Sequence, residues 1–165
     1  MMPIVRTLFF RGIEGCLLGG FFYWLASLYA FVRVRCAVPN LKALNPPTPP
    51  RWHSLSVIIP ACNEAETLEE ALSSKLTDDY PDAEFILVDD RSVDKTPEIA
   101  DRLAAHDTRI RVLHIRELPE GWLGKVHALQ KGVEISRGEW ILISDADVHF
   151  MPGTLRRAGS RLVLP

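Results

Sequence analysis

The residues with the most chemistry to offer are Asp145 and Asp147, which end the stretch Trp140-Ile141-Leu142-Ile143-Ser144-Asp145-Ala146-Asp147. The apolar run ahead of them is short enough to be a buried strand. In an open α/β sheet, ligands bind beyond the carboxyl ends of the strands. Two acids there, one residue apart, can both bind one hard divalent cation through oxygen. The competing reading is an ordinary surface loop, because Asp is common in turns. Two other apolar runs end in the same way. Leu55-Ser56-Val57-Ile58-Ile59, closed by Pro60, leads into Cys62-Asn63-Glu64, and Phe85-Ile86-Leu87-Val88 leads into Asp89-Asp90. Carboxylates gathered at one edge repel unless a cation or hydrogen-bond donors are present. Such an edge suits a diphosphate held through a metal, since direct carboxylate–phosphate contact is repulsive.

The elements that must position these acids alternate. Strands are expected at 55–59, 85–88, 110–115 and 140–143. Helices are expected at 64–75, from Thr96 as N-cap with Pro97 at N1 to about His106, and at 125–136. In the last helix Val126, Leu129 and Val133 fall on one face, and Gly138 lies just past its end. Continuous apolar strands separated by helices predict a parallel, doubly wound α/β sheet. Right-handed crossovers then bring every strand C-terminus to one edge. A dinucleotide fold would carry GxGxxG after its first strand, and that motif is absent. Gly121-Trp122-Leu123-Gly124-Lys125 matches a P-loop only loosely and follows the third strand.

Ahead of this pattern, residues 15–32 carry no charge and are rich in Leu, Phe, Tyr and Trp. That is close to the ~20 residues needed to span a bilayer as a helix. A cleaved signal peptide would have a shorter apolar core and a small-residue cleavage site, whereas Arg33-Val34-Arg35-Cys36 follows here. Arg33, Arg35, Lys42 and Arg51 outnumber Arg6 and Arg11, which places the C-terminal side in the cytoplasm. The expected organisation is therefore an N-terminal flank (1–14), a single transmembrane helix (15–32), a proline-rich polyproline II linker (33–53) and an α/β domain (54–165).

Four motifs in order resemble family 2 glycosyltransferases of the GT-A fold: Val57-Ile58-Ile59-Pro60-Ala61-Cys62-Asn63-Glu64, Val88-Asp89-Asp90-Arg91-Ser92-Val93-Asp94-Lys95-Thr96, Gly124-Lys125 with Ala128-Leu129, and Ser144-Asp145-Ala146-Asp147. The resemblance covers residues 54–154. Gly121-Trp122-Leu123-Gly124-Lys125 is further similar to the membrane-anchored subgroup that glycosylates ceramide, carotenoid and hopanoid-like lipids. The resemblance implies transfer of a sugar from a nucleotide-diphospho-sugar donor, usually UDP-linked, to a lipid-like or other acceptor. Pro60, Ala61 and Glu64 then match the loop around the nucleoside. Asp90 matches the acid that reads the base, with Asp89 beside it, and Lys125 matches a basic residue near the nucleotide. Asp145 and Asp147 match the DxD pair, with Asp147 the main ligand of Mg2+ or Mn2+ and Asp145 nearer the sugar. The family's general base is expected beyond Pro165, so the chain reads as an incomplete GT-A domain, the donor-binding half.

Other readings stand beside this one. A membrane-tethered module could bind nucleotide-sugar without turnover. A receiver-like domain is suggested by Asp89-Asp90 but would need a later Lys. Net charge −2 and pI near 6.2 argue against a nucleic-acid partner. Cys16, Cys36 and Cys62 have neither CxxC spacing nor an even framework, which argues against a disulfide scaffold or zinc site. Ser92 and Asp94 read as turn and capping residues, and Trp122 as a packed loop aromatic. His149 shares the parity of Asp145 and Asp147, although a lone histidine seldom ligates a metal.

Overall fold

A computed structural model describes residues 2–37 and 48–162. The chain divides into two compact units, Met1–Leu44 and Asn45–Pro165.

The first unit holds one helix, α1 (Met2–Ala37). Within it Gly15–Ala37 has mean hydropathy 1.6 and none of it is buried. At ~1.5 Å per residue this stretch exceeds the ~30 Å hydrocarbon core of a bilayer. The helix runs past the expected end at Val32 because Arg33 and Arg35 are good helix formers and no Gly or Pro intervenes before Pro39. Phe21, Trp24, Leu28 and Phe31 are all exposed. Residues 38–47, about half of the expected linker (33–53), lie outside the described residues.

The second unit is the expected parallel α/β sheet. Its elements are β1 (Leu55–Ala61), α2 (Leu68–Leu76), β2 (Ala83–Asp90), α3 (Thr96–His106), β3 (Ile110–Ile115), α4 (Gly124–Ile135), β4 (Trp140–Ile143) and α5 (Thr154–Leu162). The strand order is β3-β2-β1-β4 and every pairing is parallel. Alternation along the strands makes two cores. Val57, Ile59, Phe85 and Leu87 face Leu68 and Leu72 of α2, Ala100 of α3 and Leu155 of α5. Ile58, Ile86 and Val88 face Ala128 of α4.

Several local expectations are corrected. Pro60 does not close β1 but lies inside it. The Ile58 carbonyl accepts the Ser144 N–H, so even-numbered residues of β1 direct their backbone toward β4. The β1–β4 pairing stops at Ile58, so Pro60, two residues on, lacks an N–H where no ladder bond is required. The helix expected from Glu64 begins at Leu68, after a turn closed by Thr67 and Leu68 N–H groups on the Glu64 carbonyl. The buried face of α4 is His127, Ala128 and Gly132, whereas Val126 and Val133 are exposed. Close approach explains the choice: a Cβ on Gly132 would lie 2.5 Å from Ile58 Cγ2, so small residues rather than valines face the sheet.

β4 is likewise not buried on both faces. Among the described residues it pairs only with β1, and Ile141 and Ile143 are exposed; α4 packs over β1 and β2. The α/β unit also starts before Ser54. Trp52 packs edge-on against Tyr80 with ring centroids 5.2 Å apart, and His53 stacks on Trp140 at 4.5 Å.

Candidate functional site

The site is built at the carboxyl ends of β1, β2 and β4. The loops after β1 and β2 are laced together by side chain–backbone bonds. The Asn63 N–H donates to Ser92 Oγ at 2.9 Å, and the Val93 N–H donates to Asn63 Oδ1 at 2.9 Å. The Glu64 N–H donates to Thr96 Oγ1 at 2.8 Å, and the Ala65 N–H to Asp94 Oδ2 at 3.1 Å. Thr96 therefore does not cap α3 as expected; Lys95 holds the N-cap position without a side-chain bond. Asp94 Oδ1 accepts the Thr96 N–H at 2.9 Å, so Ser92 and Asp94 are the turn and capping groups their types suggested. Asn63 and Arg91 both have positive φ, 58° and 59°. Asn tolerates this conformation; for Arg it is strained, and the lacing around it holds it in place.

These loops and the segment after β4 enclose a cleft of about 290 Å³. Pro60, Ala61, Cys62 and Glu64 form one wall, and Asp145, Ala146 and Asp147 another. Asp90, Lys125 and Ala128 complete it. Seven of the eight expected site residues thus share one concavity.

Asp89 is the exception. Alternation sends neighbouring side chains of β2 to opposite faces, so Asp90 points to the α4 side and Asp89 to the α2–α3 side. The Asp89 carboxylate is fully buried and accepts from His114 Nδ1 at 2.9 Å and from the Ser92 N–H at 3.3 Å. His114 Nε2 lies 3.0 Å from Asp101 Oδ1. The hydrogen bond to Asp89 raises the His114 pKa above its ordinary value; burial opposes this and Asp101 adds to it.

Asp90 accepts two bonds from Arg91, Nε at 2.8 Å and Nη2 at 3.1 Å. The same pair explains why Gly124 opens α4: a Cβ there would sit 2.5 Å from Asp90 Oδ2 and 2.7 Å from Arg91 Nη2. Lys125, the next residue, reaches Asp145 Oδ1 at 2.6 Å. Burial at the cleft wall pushes the Cys62 thiol up, and Asp90 pushes it further, so this is no activated nucleophile. Trp122 meets the ring of His127 edge-on at 5.4 Å but is otherwise exposed, so it is less packed than expected.

Among the described residues no three His, Cys, Asp or Glu side chains gather closely enough to hold a metal by themselves. His149 is exposed and stands apart from the cleft lining. The donor set is thus two carboxylates on one loop. This fits Mg2+ or Mn2+ bound through one or two carboxylates with the remaining positions left to phosphate and water, and it does not fit an all-protein cage.

Sequence reasoning missed one charged residue here. Lys75 of α2 is fully buried; its Nζ donates to the Val148 carbonyl, one residue past Asp147, and lies 5.3 Å from the Phe150 ring centroid. Burial lowers its pKa from 10.5 to about 8, against the pull of Asp147 and Asp145. The signal was available: Leu68, Ala71, Leu72 and Lys75 form an i, i+3, i+4, i+7 stripe, which puts a lysine on the apolar face.

Comparison with known proteins gives this geometry a family. GlyG of Streptococcus pneumoniae, a glycosyltransferase, is 38% identical over 93 residues, 56% of this chain and 30% of that protein. The GalNAc(5)-diNAcBac-PP-undecaprenol beta-1,3-glucosyltransferase of Campylobacter jejuni is 32% identical over 101 residues, 61% of this chain and 32% of that protein. Among solved structures, the mannosyltransferase PcManGT from Pyrobaculum calidifontis, in complex with GDP-Man and Mn2+, superposes with a TM-score of 0.66 at 30% identity, covering 84% of this chain and 40% of that one. S. aureus TarS 1-349 in complex with UDP-GlcNAc gives 0.55 at 29% identity, covering 64% and 30%. The chain therefore spans well under half the length of each of these proteins. The family model for Glycosyl transferase family 2 matches residues 56–162, all of the sheet but Leu55 together with the loops of its cleft, and the chain belongs to that family.

Proposed function

We propose that the cleft is the donor site of a membrane-anchored glycosyltransferase that moves a sugar from a nucleotide-diphospho-sugar, UDP-linked, to a lipid-like acceptor. The observation that carries this reading is the convergence of Pro60, Ala61, Glu64, Asp90, Lys125, Asp145 and Asp147 on one cleft at the carboxyl edge of a parallel sheet. Asp90 accepts an N–H from the base, and the β1 loop encloses the nucleoside. Asp89 takes no part in contact and holds the loop after β2 through Ser92. Lys125 turns from Asp145 to the diphosphate, where its charge offsets the phosphates. Asp147, with Asp145, would hold Mg2+ or Mn2+, and that cation would offset the charge developing on the departing nucleoside diphosphate.

Similar proteins support the donor class. PcManGT is complexed with GDP-Man and Mn2+, and TarS 1-349 with UDP-GlcNAc; the choice of UDP follows the base-reading acid at Asp90. The lipid-like acceptor is supported by the undecaprenol-linked substrate in the name of the Campylobacter jejuni relative, and by the unburied apolar stretch Gly15–Ala37. Arg33, Arg35, Lys42 and Arg51 follow the uncharged run 15–32 and outnumber Arg6 and Arg11 before it, which supports an α/β unit in the cytoplasm at the cell membrane.

Calorimetric titration of UDP with and without Mn2+, on wild type and on Asp147→Asn, tests the site. Wild-type affinity should rise with Mn2+ by at least about tenfold, since like charges otherwise oppose a diphosphate in a partly desolvated cleft. Asp147→Asn should lose most of that rise. Metal-independent binding by both proteins would overturn the assignment.

A further inference from the structure

Two lysines flank the Asp145–Asp147 segment, and they differ in kind. Lys125 comes from the α4 side, is exposed, and pairs directly with Asp145. Lys75 comes from the α2 side and is completely buried. Its ammonium donates to a single backbone carbonyl, that of Val148, and faces the Phe150 ring. A buried charge with one neutral acceptor is an expensive way to fasten a loop.

The other bonds made by the end of α2 show what is being fastened. Ser74 Oγ accepts the Phe150 N–H at 2.9 Å while donating to the Ala71 carbonyl at 2.7 Å. Asp78 Oδ2 accepts the Leu155 N–H at 2.9 Å, at the start of α5. Residues 148 and 150 are thus tied to α2, and 155 to the turn that follows it. Asp147 is the last residue before the first tie, and its own side chain is exposed toward the cleft with no partner in the hydrogen bonds described. What directs it is the backbone on which it sits.

We propose that Lys75 is a positioning residue of the nucleotide site, a buried tether that holds the Val148 carbonyl and so aims the Asp147 carboxylate into the cleft. This rests on the assignment of Asp145 and Asp147 as the cation-holding pair. Its consequence is specific. Binding groups must be held within about 0.5 Å of their working geometry, and a shift of about 1 Å can cost up to ~10²-fold. Releasing Val148 should degrade the contribution of Asp147 and leave the β1 and β2 loops, laced to each other, as they are.

The test is UDP titration of the full chain with and without Mn2+, in wild type, Lys75→Met and Lys75→Arg, with thermal melting of each. The readout is the factor by which Mn2+ tightens UDP. Lys75→Met keeps the apolar stem and should cut that factor about tenfold, with metal-free UDP affinity held within about twofold. Lys75→Arg, which retains charge and donors, should recover part of it. A Lys75→Met protein that melts like wild type and keeps the wild-type factor overturns the inference while leaving the Asp145–Asp147 assignment intact. Equal loss of metal-free and metal-dependent binding also overturns it, because that marks general packing. Absence of any Mn2+ effect in wild type overturns the assignment and the inference together. If Lys75→Met does not fold, Ser74→Ala decides: it frees the Phe150 N–H of the same loop, and an unchanged factor overturns the tether.

Discussion

Lys75→Met should change how the stability of the α/β unit depends on pH, in a direction fixed by burial. The ammonium is desolvated in the folded state, which brings its pKa from 10.5 to about 8. Below about pH 8 both folded and unfolded chains hold the proton, and the folded chain carries a penalty of about 3 kcal/mol for the displaced pKa. Above that, the folded state releases its proton first. The unfolded state then binds more protons, so wild-type stability rises with pH until the unfolded lysine also titrates. Between about pH 7 and about pH 9.5 the rise amounts to about 2 kcal/mol. Methionine cannot titrate, so the stability difference between wild type and variant should move by that amount in favour of wild type. Near neutrality the variant gains by losing a buried charge and loses about 1–3 kcal/mol by stranding the Val148 carbonyl, so the net change there is small. Tyr80, whose pKa is raised by burial, is present in both proteins and cancels in the difference. Urea unfolding of the full chain in detergent micelles, followed by tryptophan fluorescence, measures it. A difference flat to within about 0.5 kcal/mol across that range would show that the ammonium is not desolvated as the geometry requires.

Three further outcomes follow from other parts of the molecule. Gly124→Ala puts a methyl group against Asp90 and Arg91 and should weaken UDP binding about tenfold, with little loss of stability because alanine favours the helix; unchanged calorimetric affinity would contradict the role of Asp90. His114→Gln removes a cation held between Asp89 and Asp101 and should cost about 1–3 kcal/mol. Since the folded His114 pKa is raised, that cost should be full below about pH 6.5 and fade as pH climbs through the folded value; a pH-independent difference in urea midpoints would be inconsistent with it. Alkaline carbonate extraction should leave the protein in the membrane pellet through Gly15–Ala37, and release into the supernatant would remove the anchor.

Much of this was legible in the sequence because strand ends announce themselves. Continuous apolar runs stopping at Pro60, Asp89-Asp90 and Asp145 placed the acids at one edge without any knowledge of pairing. What the sequence did not convey was which side of the sheet each acid faces. Asp89 and Asp90 are adjacent and chemically alike, yet pleat parity buries the first and delivers the second to the cleft. Helix faces were misjudged for a related reason. Val126 and Val133 read as core by hydropathy, but α4 lies so close to the sheet that its small residues Ala128 and Gly132 meet the strands, with His127 buried beside them. Lys75 was overlooked because lysine at the end of a helix is ordinarily a solvated residue facing the dipole.

The site divides into parts that must exchange partners and parts that must not. The Lys125–Asp145 pair is exposed on both sides, 62% and 53%. Pairs of that kind contribute at most about 1 kcal/mol, so the proposed diphosphate would draw Lys125 away at little cost. The frame is of the other kind. Asn63 and Ser92 lock the first two loops to each other, Asp94 joins them to α3, and Lys75 holds the third from below. A donor site needs both. On the proposed reading, mobile surface charges would let Asp145 serve Lys125 before binding and a cation after it. A fixed backbone ensures that the change of partner is not also a change of position.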